Sequence, residues 1–387
     1  MVGRSARRRP SRPVARNAIC HLGAHSRGPA LLADRQTTTL TPVPAPSGTV
    51  RPRVLYICAW GRSGTTIVDR ILGQLPGCVS VGELRSLWDA DPAVQLCGCG
   101  NVIAECPLWG PVMSDVLESR HGYTTRTVWS MREESARSRH IPSLWYAARL
   151  ARRRPSSAVA SYGDILEEVY AEVLARTGGG IIVDSSKHPA EALLLANRRG
   201  IDLTVLHLVR DPRGVAYSWS TRRTSRDQLQ ARMDKLPLRG VVSSSAWWTV
   251  WNAVIETAVR ARVNARYIPL RYEDLMAAPR RQLAAVVQQI GGSVSDLPFV
   301  GDDEIILQPT HTAAGNPNRM LTGPVRLAVD RQWERAMGRA ARMGATIPAL
   351  PLLAHYHYVR RPPQRLRAVS DFPLAGSAGS GTQGKYP

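Results

Sequence analysis

Residues 53–72 read Arg-Val-Leu-Tyr-Ile-Cys-Ala-Trp-Gly-Arg-Ser-Gly-Thr-Thr-Ile-Val-Asp-Arg-Ile-Leu. Val54 to Ala59 is a short apolar run rich in β-formers, the mark of a strand buried on both faces in a parallel sheet. Gly61-Arg62-Ser63-Gly64 permits a tight turn, and from Thr65 the apolar residues Ile67, Val68, Ile71 and Leu72 recur at helical spacing up to Gly73. A strand, a glycine turn and a helix start aim free backbone N–H groups and the positive end of a dipole at one point. That is an anion site. Arg62 adds a fixed charge, and Ser63, Thr65 and Thr66 add hydroxyl donors.

This loop is not a Walker A sequence. Gly-x4-Gly-Lys-Ser/Thr would need glycine where Ala59 stands and lysine where Thr65 stands. A strand-to-helix loop with Arg-Ser-Gly-Thr-Thr instead resembles the 5′-phosphosulfate-binding loop of sulfotransferases that use 3′-phosphoadenosine 5′-phosphosulfate (PAPS).

A second stretch strengthens the resemblance. Thr204 to Val209 is the clearest central strand, and Arg210-Asp211-Pro212-Arg213-Gly214-Val215-Ala216-Tyr217-Ser218 turns it into a helix with proline at its start. Arginine at the strand end and serine one helical stretch later are similar to the family's 3′-phosphate motif. The resemblance implies that Arg210 grips this phosphate as a bidentate fork and that Ser218 adds a hydroxyl.

Weaker motifs fall in the same order. Cys78 to Val81 reads as a second strand, followed by Gly82-Glu83. A carboxylate beyond the carboxyl end of a parallel strand is well placed for chemistry, and Glu83 resembles the acidic general base of tyrosylprotein and carbohydrate sulfotransferases. A surface Glu83 paired with Arg85 is the plain alternative. Ile181 to Val183 reads as a short buried strand ending at Asp184-Ser185-Ser186-Lys187-His188-Pro189. Lys187, one of three lysines against 48 arginines, matches a lysine that the tyrosylprotein enzymes carry after the equivalent strand. Arg271-Tyr272-Glu273-Asp274-Leu275 is similar to the family segment that closes the sheet. His311 to Arg319 resembles a bacterial segment that folds over the nucleotide, which implies a further 3′-phosphate contact from Arg319. His207 reads as a satisfied core histidine, and Trp247, Trp248 and Trp251 as core. Where the family's small-molecule branch carries a loop lysine and a histidine base, this chain has Arg62 and Glu83. His188 and His311 are the fallback bases.

The implied fold is α/β, a P-loop-like three-layer domain with a central parallel sheet and a helical acceptor-site insertion at about 111–176. Within the insertion, Met113–Arg120, Ile141–Arg154 and Tyr162–Arg176 read as helices. The expected divisions are a disordered basic tail at 1–50, the sulfotransferase domain at 51–345, and an extension at 346–387 with a disordered end. The implied partners are PAPS as co-substrate and an acceptor that is a glycan, glycolipid, phenol or peptide.

Composition sets the limits. The 387 residues carry a net charge of +21, and 44% hydrophobic content is enough for a sizeable core. Such a balance raises nucleic acid as a partner. However, residues 1–50 hold eight arginines and one aspartate, leaving +14 elsewhere, a balance that suits a polyanionic nucleotide and calls for no specific nucleic acid. No apolar run approaches the roughly twenty residues that span a bilayer, and no apolar segment follows the basic start, so the expected compartment is cytoplasmic. Six cysteines in this length are not a disulfide scaffold. Cys78, Cys97, Cys99 and Cys106 supply four thiols without paired Cys-x2-Cys spacing, and the nearest following histidine is His121. Metal binding, a disulfide and plain packing all remain open for them, and the transfer chemistry itself requires no metal. A P-loop kinase is the rival class; it would need Mg²⁺ and an acidic strand end, for which Asp184 is the candidate.

Overall fold

In the computed structural model, which describes residues 51–149, 156–221, 238–261 and 265–359, the quoted stretch forms strand β1, Arg53–Cys58, and helix α1, Thr65–Leu72. β1 is the middle strand of a five-stranded sheet. Its companions are β2 (Cys78–Gly82), β3 (Ile181–Lys187), β4 (Asp202–Val209) and β5 (Ala265–Arg271), in the order β2-β3-β1-β4-β5. All four pairings are parallel, so the carboxyl ends of the strands gather at one edge. An antiparallel pair, β6 (Glu304–Leu307) and β7 (Gly323–Arg326), stands apart from this sheet.

Side-chain alternation along β1 builds the layers. Val54, Tyr56 and Cys58 face one core, with Tyr162, Val169 and Val173 of the helix Ser157–Thr177 and Leu193 of the helix Pro189–Ala196. Leu55 and Ile57 face the other, with Val68, Ile71 and Leu72 of α1 and Leu283 and Val286 of the helix Pro279–Gln289. Each such side chain contributes about 1.5–3 kcal/mol when fully buried. A strand apolar on both sides can therefore only be an interior one. The expected three-layer α/β architecture is present.

Some boundaries differ from the sequence reading. β3 continues four residues past Val183 because its polar residues are satisfied: Asp184, fully buried, accepts hydrogen bonds from the Tyr170 hydroxyl (2.6 Å) and the Ser186 amide (2.8 Å). Among the described residues the insertion holds the α-helices Thr125–Ser135, which the sequence reading did not anticipate, Ile141–Arg149 and Ser157–Thr177, with a π-wound stretch at Met113–Ser119. In the segment from 346, Ala349, Leu353 and Tyr356 are buried with Trp60 and Trp248. The basic tail at 1–50 and the end of the chain from 360 lie outside the described residues. Among the described residues no helix is long and apolar enough to cross a membrane.

Candidate functional site

The loop after β1 is held in an unusual backbone conformation. Arg62 has φ 72° and Gly64 φ 92°, on either side of Ser63. A left-handed residue other than glycine costs ~1–2 kcal/mol, and such outliers concentrate where backbone amides must point at a ligand. Gly64 is required on two counts, since a Cβ there would also stand 2.8 Å from the Tyr272 ring. α1 begins without a side-chain cap and without an acidic residue in its first turn. Its leading N–H groups are thus left for an anion. The Ser63 hydroxyl is buried without a hydrogen-bond partner, another donor waiting for an acceptor.

Lys187 and Glu83 meet from neighbouring strand ends. Lys187 is also left-handed, with φ 70°, and its carbonyl accepts from the Ala59 amide, the Cys58 thiol and the Trp251 indole, each at 3.3 Å. Those three donors hold the turn that aims its side chain. The ammonium forms an ion pair with Glu83 Oε1, both side chains being largely enclosed. Glu83 is fixed in turn: its amide donates to Ala314 O (3.2 Å), and its carboxylate lies where a Cβ on Gly315 would be, 2.8 Å away. The alternative partner, Arg85, is engaged elsewhere, donating to buried Glu191 at 2.6 Å.

Arg210 leaves the end of β4 and reaches β1's loop. It is buried, donates to the Arg62 carbonyl (3.0 Å) and to Asp330 (3.1 Å), and lies 4.5 Å over the Tyr272 ring. The fork is therefore divided between a carbonyl and a carboxylate, instead of presenting two free parallel donors. Its carbonyl accepts from the Trp248 indole at 3.0 Å, so Trp248 and Trp251, expected only to fill the core, each hold the backbone of a site residue. Ser218 and Trp219 follow on the helix Pro212–Ser220 and its end. The Trp219 indole donates to Gly61 O (3.2 Å), and Arg62 lies 5.1 Å over its ring.

These elements enclose a cleft of ≈ 750 Å³ lined by Arg62, Gly64, Thr65, Thr66, Glu83, Lys187, Arg210 and Ser218, with Ser63 buried behind it. Its volume lies within the range usual for nucleotide-sized ligands. Open α1 amides, an orphaned hydroxyl and converging cations fit a ligand bearing phosphate at two ends. A second cleft of ≈ 580 Å³ includes Asp211, Arg213, Arg271 and Glu273, but its charges satisfy one another: Arg213 pairs with Asp211 (2.6 Å), and Glu273 accepts from Tyr358 (2.6 Å).

Other expectations are corrected. Arg319 is buried outside the cleft lining; its guanidinium donates to Gly315 O (2.7 Å) and Leu96 O (3.1 Å), so it shapes the 311–319 loop from within. The loop does cover the cleft, through Gly315, Asn316 and Asn318. Arg70, overlooked in the sequence, ties it to α1 by donating to Arg319 O (2.5 Å) and Gln308 O (2.6 Å). His188 caps the helix Pro189–Ala196, accepting from Ala190 N, and burial holds its imidazole well below the usual histidine range. That is an unsuitable base. His311 stands among Cys97, Cys99 and Cys106, whereas Cys78 opens β2 and His121 pairs with Glu168. Asp184 is sealed under Tyr170, its pKa raised by burial to about 7. His207 is the satisfied core residue expected, bonded to Tyr267 (2.5 Å) and Asn252 (2.8 Å). Among the described residues, none of the 111–176 insertion lines the cleft.

In the sequence, Tyr272 stood out only as a member of the motif at 271–275, and Trp219 only as the neighbour of the motif at 210–218. Nothing local marked Asp330.

A model of the sulfotransferase family matches residues 53–296, spanning every strand of the main sheet. Solved structures similar to the chain include the sulfotransferase domain of an olefin synthase from Synechococcus PCC 7002. It is 18% identical, covering 82% of this chain and 98% of that one, with a TM-score of 0.42. The sulfotransferase STF9 from Mycobacterium avium is 14% identical over 83% and 79% of the two chains, with a TM-score of 0.39. Among curated proteins, none matches the chain.

Proposed function

The chain belongs to the sulfotransferase family, and from that premise we propose that it moves a sulfuryl group from PAPS to an acceptor hydroxyl or amine, releasing 3′,5′-ADP (PAP). One observation carries the choice of donor: Arg62 and Arg210, from the ends of two adjacent strands, line a single cleft with Glu83 and Lys187. Sulfuryl transfer, like phosphoryl transfer, is governed by in-line positioning and charge stabilisation. The amides of Gly64, Thr65 and Thr66, the Ser63 hydroxyl and Arg62 would take the charge that builds on the leaving 5′-phosphate oxygen. Arg62 acts as a fixed charge and not as a proton donor, because a guanidinium stays protonated. Arg210 and Ser218 would hold the 3′-phosphate, which competes with Asp330 for the same guanidinium.

Glu83 would accept the acceptor's proton. Its pairing with Lys187 holds the carboxylate at the strand ends, and leaves the ammonium one short movement from the sulfuryl oxygens. The transferring group bears a single negative charge, so this scheme calls for no Mg²⁺. Asp184, the acidic strand end named for a kinase, is buried outside the cleft lining. The acceptor would enter over the Glu83 side of the cleft; glycans, glycolipids, phenols and peptides remain the classes to try.

Incubating the enzyme with PAPS and a panel of those four acceptor classes, without added Mg²⁺, should release PAP in step with one sulfated product. Phosphorylation of an acceptor from ATP, strictly dependent on Mg²⁺, would contradict the proposal.

A further inference from the structure

Cys97, Cys99, Cys106 and His311 converge on one point away from the cleft, their ligand atoms all within 4.8 Å of one another. We propose that they form a closed tetrahedral zinc site that fastens the loop over the active site to the segment 97–106. Four of the six separations lie close to that geometry, and the other two are within 4.8 Å. Zn–S bonds of about 2.3 Å and Zn–N bonds of about 2.0–2.1 Å arranged tetrahedrally put sulfur atoms about 3.8 Å apart, and sulfur about 3.6 Å from nitrogen. Here Cys106 Sγ is 3.5 Å from Cys97 Sγ and 3.8 Å from Cys99 Sγ, while His311 Nδ1 is 3.3 Å from Cys106 Sγ and 4.0 Å from Cys97 Sγ.

Other readings of the cluster explain less. A disulfide needs sulfurs about 2.05 Å apart, would use only two of the three thiols, and gives the imidazole no role. The ligands of an iron–sulfur cluster are distributed over two or more irons, and those on different irons stand farther apart than this group does. Three soft thiolates and an imidazole disfavour Ca²⁺ and Mg²⁺. With four protein ligands no position is open for water, so the site is structural. On binding, each thiol releases its proton to solvent and neutral His311 keeps its Nδ1 lone pair for the metal, giving a centre of net charge −1.

The surroundings are built to hold this arrangement. Cys97 N donates to Asn101 O (2.8 Å) and Gly100 N to Cys97 O (3.0 Å), with Gly100 at φ 94°, a tight turn around the first two cysteines. The His311 carbonyl accepts from the Trp109 indole at 2.6 Å, and Gly98 N donates to Thr312 O (2.9 Å). Two residues further on, Ala314 receives the Glu83 amide and Gly315 abuts its carboxylate. The metal would thus set the loop against which Glu83 rests.

The test begins with the wild-type protein purified without added metal and dialysed against metal-free buffer. Elemental analysis should find one zinc per chain, and exchange with Co²⁺ should give the intense visible bands and near-ultraviolet thiolate charge transfer of tetrahedral sulfur ligation. Cys99→Ser, at the least buried of the three cysteines, should weaken zinc binding by more than the roughly 10–100-fold typical of losing an outer-shell partner. Substoichiometric zinc with weak octahedral Co²⁺ bands, an iron–sulfur absorbance, or full zinc affinity in Cys99→Ser would each overturn the site. If Cys99→Ser does not fold, the wild-type zinc content and cobalt spectrum decide the matter.

Discussion

Glu83→Gln is expected to lower the rate of sulfuryl transfer by about 10²–10⁴-fold, the usual worth of a positioned general base, with affinity for PAP undiminished. Glutamine has nearly the same shape, so the contact with Gly315 and the amide bond to Ala314 persist. It cannot take a proton from the acceptor. It also no longer neutralises Lys187, whose ammonium is paired with this carboxylate in the wild type; the freed cation then faces the cleft and can only favour an anionic ligand. Turnover measured as PAP release, set beside a PAP titration, separates the two effects. Undiminished turnover would remove Glu83 from the mechanism. The histidines named as substitutes are poorly placed to replace it, since His188 caps a helix and His311 stands in the cysteine cluster.

Arg210→Ala is expected to weaken PAP by about 10–150-fold, equivalent to the ~1.5–3 kcal/mol of a hydrogen bond to a charged group. Arg210 also donates to the Arg62 carbonyl and pairs with Asp330, so its removal should lower thermal stability as well. AMP discriminates between these causes, because it lacks the 3′-phosphate. Loss of a phosphate contact weakens PAP and spares AMP, whereas a distorted Arg62 loop weakens both alike. Parallel losses for the two nucleotides would assign Arg210 to the architecture of the loop and leave the 3′-phosphate without its main ligand.

What could be read in the sequence was what neighbouring residues determine. The turn from β1 into α1 was legible because apolar run, glycines and helical spacing lie within twenty residues. Glu83, Lys187 and Arg210 were legible as strand ends, and parallel topology brings strand ends together without further information. Distant partners were not legible. The length of β3 depends on Tyr170 satisfying Asp184; Arg319 turns inward because the Leu96 and Gly315 carbonyls need donors. His311 lies more than two hundred residues beyond the cysteines it joins, and no spacing rule reaches that far. The divided fork of Arg210 depends on Asp330, which sits in no recognisable motif.

The central physical claim is that one adenosine bisphosphate spans the β1 loop and the end of β4, held at both phosphates by this single cleft. Calorimetric titration of the wild-type protein with PAP and, in parallel, with Mg²⁺-ATP tests it most directly. One PAP should bind per chain, without Mg²⁺ and at least about tenfold more tightly than ATP, the difference a single retained phosphate contact would make. Mg²⁺-dependent binding of ATP at higher affinity than PAP would contradict it.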